Sequence, residues 1–155
     1  MELYAIAILG LVIAIVVYFF RRPKQQLLEL PPGPLKGEKT FIPFELIAKR
    51  EISHDTKVYD FKLKDDESLG LDIGKHIILR AKIPTEASPE GEVISRKYTP
   101  TSTLHEKGRF SLLIKIYFKN VHPKFPQGGM MSQYVDSLQI GDTIDVSGPK
   151  GNLSY

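Results

Sequence analysis

The sequence predicts a mainly β protein: a six-stranded antiparallel Greek-key barrel with one short helix, preceded by an N-terminal transmembrane helix. Three observations carry this reading. Six short runs alternate apolar and polar residues between turn signals, most plainly Tyr59, Phe61 and Leu63 with Asp60 and Lys62 between them. Within that array only Met131 to Leu138 reads as a helix, and nothing alternates strand with helix as a parallel sheet requires. Finally, the run Leu3–Phe20 carries no charge and is followed at once by Arg21, Arg22 and Lys24.

The N-terminal run has the length of a membrane span, since 18 helical residues rise about 27 Å, close to the hydrocarbon thickness of a bilayer. Ile, Val, Leu and Ala occupy every side of it, and Tyr4 and Tyr18 stand near its two ends, where interfacial aromatics sit. A cleaved signal peptide is the rival reading. Against it, no basic segment precedes the run, and bulky Tyr18, Phe19 and Phe20 stand where small residues would mark cleavage. Arg21 and Arg22 then belong on the cytosolic side, which makes the protein a single-pass membrane protein with its main domain in the cytosol. Residues 21–40 hold Pro23, Pro31, Pro32, Gly33, Pro34 and Gly37, so they read as a semi-extended linker.

From Phe41 the pattern is β, and residues 41–155 form the folded domain. Strands are expected over Phe44–Glu51, Lys57–Leu63, His76–Ile83, Val93–Thr99, Phe110–Phe118 and Thr143–Ser147. Turn residues separate them at Gly70 to Gly74, Pro84 to Gly91 and Lys107-Gly108. The helix opens after Gly128-Gly129 and closes before Gly141.

Composition removes several chemistries. There is no cysteine, so disulfides, thiolate catalysis and Cys-ligated zinc or iron–sulfur centres are excluded within the chain. The four histidines show no ligand spacing, and no metal site is expected. The net charge of +3 is spread over pairs such as Lys62 with Lys64 and Arg80 with Lys82. That is the spacing of a solvated strand face, and no basic block interleaves with stacking aromatics, so nucleic acid is not an expected partner.

Two segments carry candidate chemistry. Arg96-Lys97-Tyr98-Thr99-Pro100-Thr101-Ser102 ends a strand, and Gly128-Gly129-Met130-Met131-Ser132-Gln133 begins the helix. Together they complement a dinucleotide. Arg96 can offer a planar charged fork to a pyrophosphate. The helix opening can offer free N–H groups and the positive dipole end, with Ser132 adding a hydroxyl. The glycines allow close backbone approach, Tyr98 offers a flat ring, and Thr99 a small donor beside it. Taken singly, a Tyr-Thr-Pro is a turn and a Gly-Gly is a loop; the combination carries the reading.

That combination, Arg96-x-Tyr98-Thr99-x-x-Ser102 followed by Gly129-x-Met131-Ser132, resembles the flavin domain of the ferredoxin-NADP reductase superfamily. Ile52–Thr56, Gly74–Ile77, Ile114–Lys119, His122–Pro126 and Gln139–Ile144 narrow the resemblance to the NADH-cytochrome b5 reductase family, over residues 41–155 almost continuously. The resemblance implies an FAD-binding domain of ferredoxin-reductase type. It implies that Arg96 contacts the FAD phosphates, that Lys97 belongs to the cofactor-binding set, that Tyr98 packs on the flavin and its ribityl chain, and that Thr99 lies near flavin N5, where hydride arrives. Ile114, Lys115, Ile116 and Tyr117 would border the cofactor, and Gly129, Met130, Met131 and Ser132 would cap the pyrophosphate. Lys115 reads equally as a strand lysine facing water, and His54 reads either as a solvated turn histidine or as a relay of protons from the flavin to solvent.

The implied activity is electron transfer from NADH through FAD to cytochrome b5, supporting fatty-acid desaturation and sterol synthesis. The implied setting is membrane lipid of the endoplasmic reticulum or mitochondrial outer membrane. Members linked to diphthamide synthesis add its small electron-carrier protein as a further partner. Two features depart from the family: Lys97 stands where many members have proline, and Met130 where they have a basic residue. The family continues into an NADH-binding domain, so the 155 residues are expected to hold the FAD half only and to lack NADH activity alone. The alternatives are a reductase of the same fold with another acceptor, and a membrane-tethered β-barrel binding module without redox chemistry.

Overall fold

The computed structural model describes residues 33–86 and 88–152. The expected membrane span, 3–20, and most of the expected linker, 21–40, lie outside them. Among the described residues no helix is long and apolar enough to cross a membrane.

Six strands and one helix follow one another as β1 (Gly37–Ser53), β2 (Thr56–Lys62), β3 (His76–Ile83), β4 (Glu92–Tyr98), β5 (Arg109–Lys115), α1 (Met130–Ser137) and β6 (Thr143–Lys150). All six strands join one sheet in the order β4-β3-β6-β1-β2-β5, every neighbour antiparallel. The long strand β1 makes the sheet curl. Its first part pairs with β6, as in Phe44 opposite Ile144, and its second part with β2, as in Leu46 opposite Phe61. A register shift between Leu46 and Ala48 bends it where it changes partner. β1 begins at Gly37, four residues inside the expected linker, and β6 runs on to Lys150.

The concave side holds the core. Leu46, Tyr59, Phe61, Ile77, Leu79, Phe110, Leu112 and Val146 are buried there, at alternate positions of their strands. Phe61 stacks on Phe110 at 5.2 Å between centroids, and Phe44 meets the same ring edge-on at 5.3 Å. One buried carboxylate is fully engaged: Asp60 accepts from Ser111 Oγ at 2.6 Å and from Arg109 at 2.9 Å.

Closure is looser than the expected barrel. β4 and β5 are the two edges of the sheet and do not share a ladder. They are tied beyond the end of β4, where the Thr101 N–H donates to Ser111 O at 2.9 Å. Helix α1 buries Met131 and Val135 against the core, Leu138 just beyond its end joins them, and its N-terminus stands where the two edges part.

Candidate functional site

The gap between the two edge strands is a groove of about 440 Å³, walled by Arg96–Tyr98 of β4, by Leu113–Lys115 and Tyr117, and by Gly128–Ser132 at the entry to α1. Ile94, Arg96 and Tyr98 share one face of β4. Ile94 is buried, Tyr98 is half-buried and Arg96 is exposed, so the core face runs out into the groove. Among the described residues the Arg96 side chain makes one hydrogen bond, Nη1–H to Ser95 O at 2.8 Å, which leaves most of its five donors free. Burial pushes the Tyr98 phenol up; Arg96 opposes this and Tyr117 adds to it. The ring therefore stands neutral as a flat wall.

The entry to α1 is locked onto the chain that leaves β5. Gly129 N–H donates to Tyr117 O at 2.8 Å; Ser132 Oγ donates to Gly129 O at 2.9 Å and accepts from Tyr117 N–H at 3.2 Å. These bonds explain why β5 ends at Lys115 and not at Phe118 as expected: Tyr117 bonds the helix entry. Gly128 has φ +67°, and a Cβ there would lie 2.3 Å from Tyr117 O, so both conformation and space demand glycine. Gly129 caps the helix without a side-chain bond, and the first bond into the helix is Gln133 N–H to Gly129 O at 3.0 Å. Among the described residues the N–H groups of Met130, Met131 and Ser132 therefore have no hydrogen-bond partner, at the positive end of the helix dipole. In this structure the Ser132 hydroxyl is engaged within the loop. Its proton goes to Gly129 O, so this side chain shapes the loop while its N–H faces the unpaired end.

Lys115 Nζ lies 2.6 Å from Asp55 Oδ2 at the end of the groove. With Thr56 and Ser53 also donating, this contact draws the Asp55 carboxyl down to about 2 and pushes the Lys115 ammonium up. Among the described residues no carboxylate lines the groove itself. Its wall carries Arg96 and Lys97, neither in an ion pair among the described residues, together with the N–H groups at the helix entry, an arrangement that attracts a polyanion; the charge of Lys115 is already met by Asp55.

The structure thus brings together Arg96, Lys97, Tyr98, Ile114, Lys115, Tyr117, Gly129, Met130, Met131 and Ser132. Three expected residues stand apart from that groove. Ile116 has its side chain buried and its N–H on Asp55 O, so it backs the wall. Thr99 lies on the rim of a second hollow of about 410 Å³ with Leu69–Lys75 and Ser102–His105. His54 is exposed, 3.6 Å from Asp55, beside an apolar hollow of about 540 Å³ that includes Phe118, Val121 and Phe125. Leu113 lines the groove and was not expected as a site residue; Gly128 lines it too, from a candidate segment in which it had no individual cofactor role. The Gly-Gly pair was the sequence signal for Gly128, whereas Leu113 had none.

A sequence profile for the oxidoreductase FAD-binding domain matches residues 43–155. NADH-cytochrome b5 reductase 2 of Xenopus tropicalis is 44% identical over 154 residues, covering 99% of this chain and 48% of that protein. An NADH nitrate reductase of Cucurbita maxima is 50% identical over 116 residues, covering 74% of this chain and 12% of that protein. Among solved structures, the cytochrome b5 reductase domain of Ulva prolifera nitrate reductase superimposes with a TM-score of 0.73 at 43% identity, covering 78% of this chain and 45% of that one. The chain therefore spans less than half the length of these relatives.

Proposed function

The chain belongs to the oxidoreductase FAD-binding domain family, and from that premise we propose that the groove between β4, β5 and α1 holds FAD in a reductase carrying electrons from NADH to cytochrome b5. The observation that carries this is the set of donors unopposed among the described residues: three helix N–H groups and the Arg96 guanidinium, with no carboxylate of those residues in the wall. A flavin dinucleotide fits that chemistry. Arg96 and the N–H groups of Met130, Met131 and Ser132 would hold its pyrophosphate, and Tyr98 would give its ring system an apolar wall. Bound FAD supplies the conversion of a two-electron donor's electrons into single-electron transfers. The chain's own part is to bind and orient. Gly128 and Gly129 let the backbone approach, Ser132 fixes the loop, and Lys97 raises the local positive potential, while the charge of Lys115 is balanced by Asp55. Residues 3–20 would hold this domain at a membrane, facing the cytosol.

The b5 reductase relatives support cytochrome b5 as acceptor. The nitrate reductase relatives support a second reading, in which the same domain feeds a different acceptor. Two measurements test the proposal. Purified protein mixed with FAD and desalted should keep a flavin absorbance spectrum; folded protein that elutes colourless overturns it. Dithionite-reduced holoprotein should then be reoxidised faster by cytochrome b5 than by cytochrome c, and the opposite order assigns another acceptor.

A further inference from the structure

The geometry points to Asp136 as a positioning residue that aims the unpaired N–H groups of α1 into the groove, an inference that rests on the FAD reading above. Asp136 is at the far end of the helix from the groove and touches nothing in it. Its carboxylate oxygen Oδ1 accepts from Lys57 Nζ at 2.7 Å and from the Tyr59 hydroxyl at 2.8 Å. Its backbone carbonyl accepts from Lys49 Nζ at 2.7 Å. Three donors from two adjacent strands, β1 and β2, therefore converge on one helical residue.

Their environment makes these bonds stiff. The Asp136 side chain is 19% exposed and that of Lys57 25%. Tyr59 is fully buried in the core, so its hydroxyl reaches Asp136 from a ring that cannot swing. Charge-assisted hydrogen bonds in such partly dry surroundings are the strong ones. Burial disfavours the Asp136 carboxylate, but the bonds from Lys57 and Tyr59 outweigh it and hold the group ionised, below the usual carboxylate range.

The rest of the helix leaves its aim open. α1 has 8 residues, about 12 Å of rise, and no side-chain cap at its N-terminus. Its apolar contacts through Met131 and Val135, with Leu138 just beyond its end, are non-directional and by themselves tolerate rotation about the helix axis. At the groove end the Ser132 and Gly129 bonds to Tyr117 fix one point. The Asp136 bonds fix a second point about one turn away. With the packing of Met131 and Val135 against the core as a third contact, these two points set the axis and the rotation of the helix, and with them the direction of the N–H groups of Met130, Met131 and Ser132.

The test uses the full chain and compares wild type with Asp136→Ala, Asp136→Asn and Tyr59→Phe. FAD affinity is read by titration, the fold by thermal melting, and the helix entry by the amide NMR signals of residues 130–132 without ligand. Wild type should bind FAD. Asp136→Ala should bind about tenfold more weakly at a temperature where it is fully folded, the scale of one charge-assisted hydrogen bond. The amides of residues 130–132 should shift, while those of Glu92–Tyr98 stay in place. Asp136→Asn and Tyr59→Phe, which keep the local volume, should move affinity and shifts the same way by less; they decide the matter if the alanine variant does not fold. A lower melting temperature with unchanged affinity and unchanged amide signals overturns the inference, because that is the pattern of a purely structural residue. Failure of wild type to bind FAD overturns the FAD reading itself, and with it this inference.

Discussion

The β1–β2 side of the molecule and the β4–β5 edge are built from the same kinds of polar group and treat them in opposite ways. On the first side, Asp60 has two donors, and Asp136 is held by Lys57, Tyr59 and Lys49. At the second, Arg96 keeps most of its donors, three helix N–H groups have no acceptor, and no carboxylate offsets them among the described residues. Polar groups that are paired hold a structure together. Groups left unpaired at a helix N-terminus beside a free guanidinium are open to an anion. The fold is anchored on one side of the sheet, and that anchoring leaves donors standing free at the other.

The contrast makes distinct demands on stability and on binding. The largest effect belongs to the anchored side. Phe61→Ala removes a fully buried ring stacked on Phe110 and should cost about 3–5 kcal/mol in chemical denaturation. A cost under about 1 kcal/mol would show that the concave side is not the packed core. Next comes the hinge between the two regions. Gly128→Ala forces a Cβ to 2.3 Å from Tyr117 O at φ +67°, and should cost about 1–3 kcal/mol while also displacing the helix entry. A variant with wild-type melting and wild-type FAD affinity would show that this approach is not needed.

The smallest effect sits at the groove's end and depends on pH. The Asp55 carboxyl is depressed from 3.8 to about 2, chiefly by Lys115 and then by Thr56. Its stabilising contribution is therefore complete above the unfolded value and is lost as pH falls from 3.8 towards 2. Asp55→Asn should flatten the acid limb of the melting curve in that window and leave neutral pH nearly unchanged. An acid limb identical to wild type would remove the Asp55–Lys115 pair from the description.

Much of this was legible in the sequence, for physical reasons that differ by element. β3 falls at His76–Ile83 as expected, because its alternation of buried and half-buried residues is regular and glycine and proline flank it. The start of β1 was hidden because Gly37–Thr40 is strand without a buried face, so no hydrophobic period marks it. The end of β5 was misplaced because Tyr117 takes its backbone partners from a helix entry twelve residues on, which strand periodicity cannot register. Of the site, the charged and glycine-bearing parts could be read, since Arg96, Tyr98 and Gly129 announce their chemistry by type. The Asp136 cluster could not, because Lys57 and Tyr59 lie 79 and 77 positions away from it and only the fold brings them together.

The central claim is that the free donors at the β4–β5 edge hold the pyrophosphate of FAD, and Arg96 tests it most directly. Arg96 is exposed and bonds only Ser95 O among the described residues, so Arg96→Ala should leave the melting temperature unchanged. FAD titration of Arg96→Ala beside wild type and Lys97→Ala should show a loss of about 1.5–3 kcal/mol in binding free energy, and a smaller loss for Lys97→Ala. Arg96→Ala binding FAD as tightly as wild type would contradict the claim.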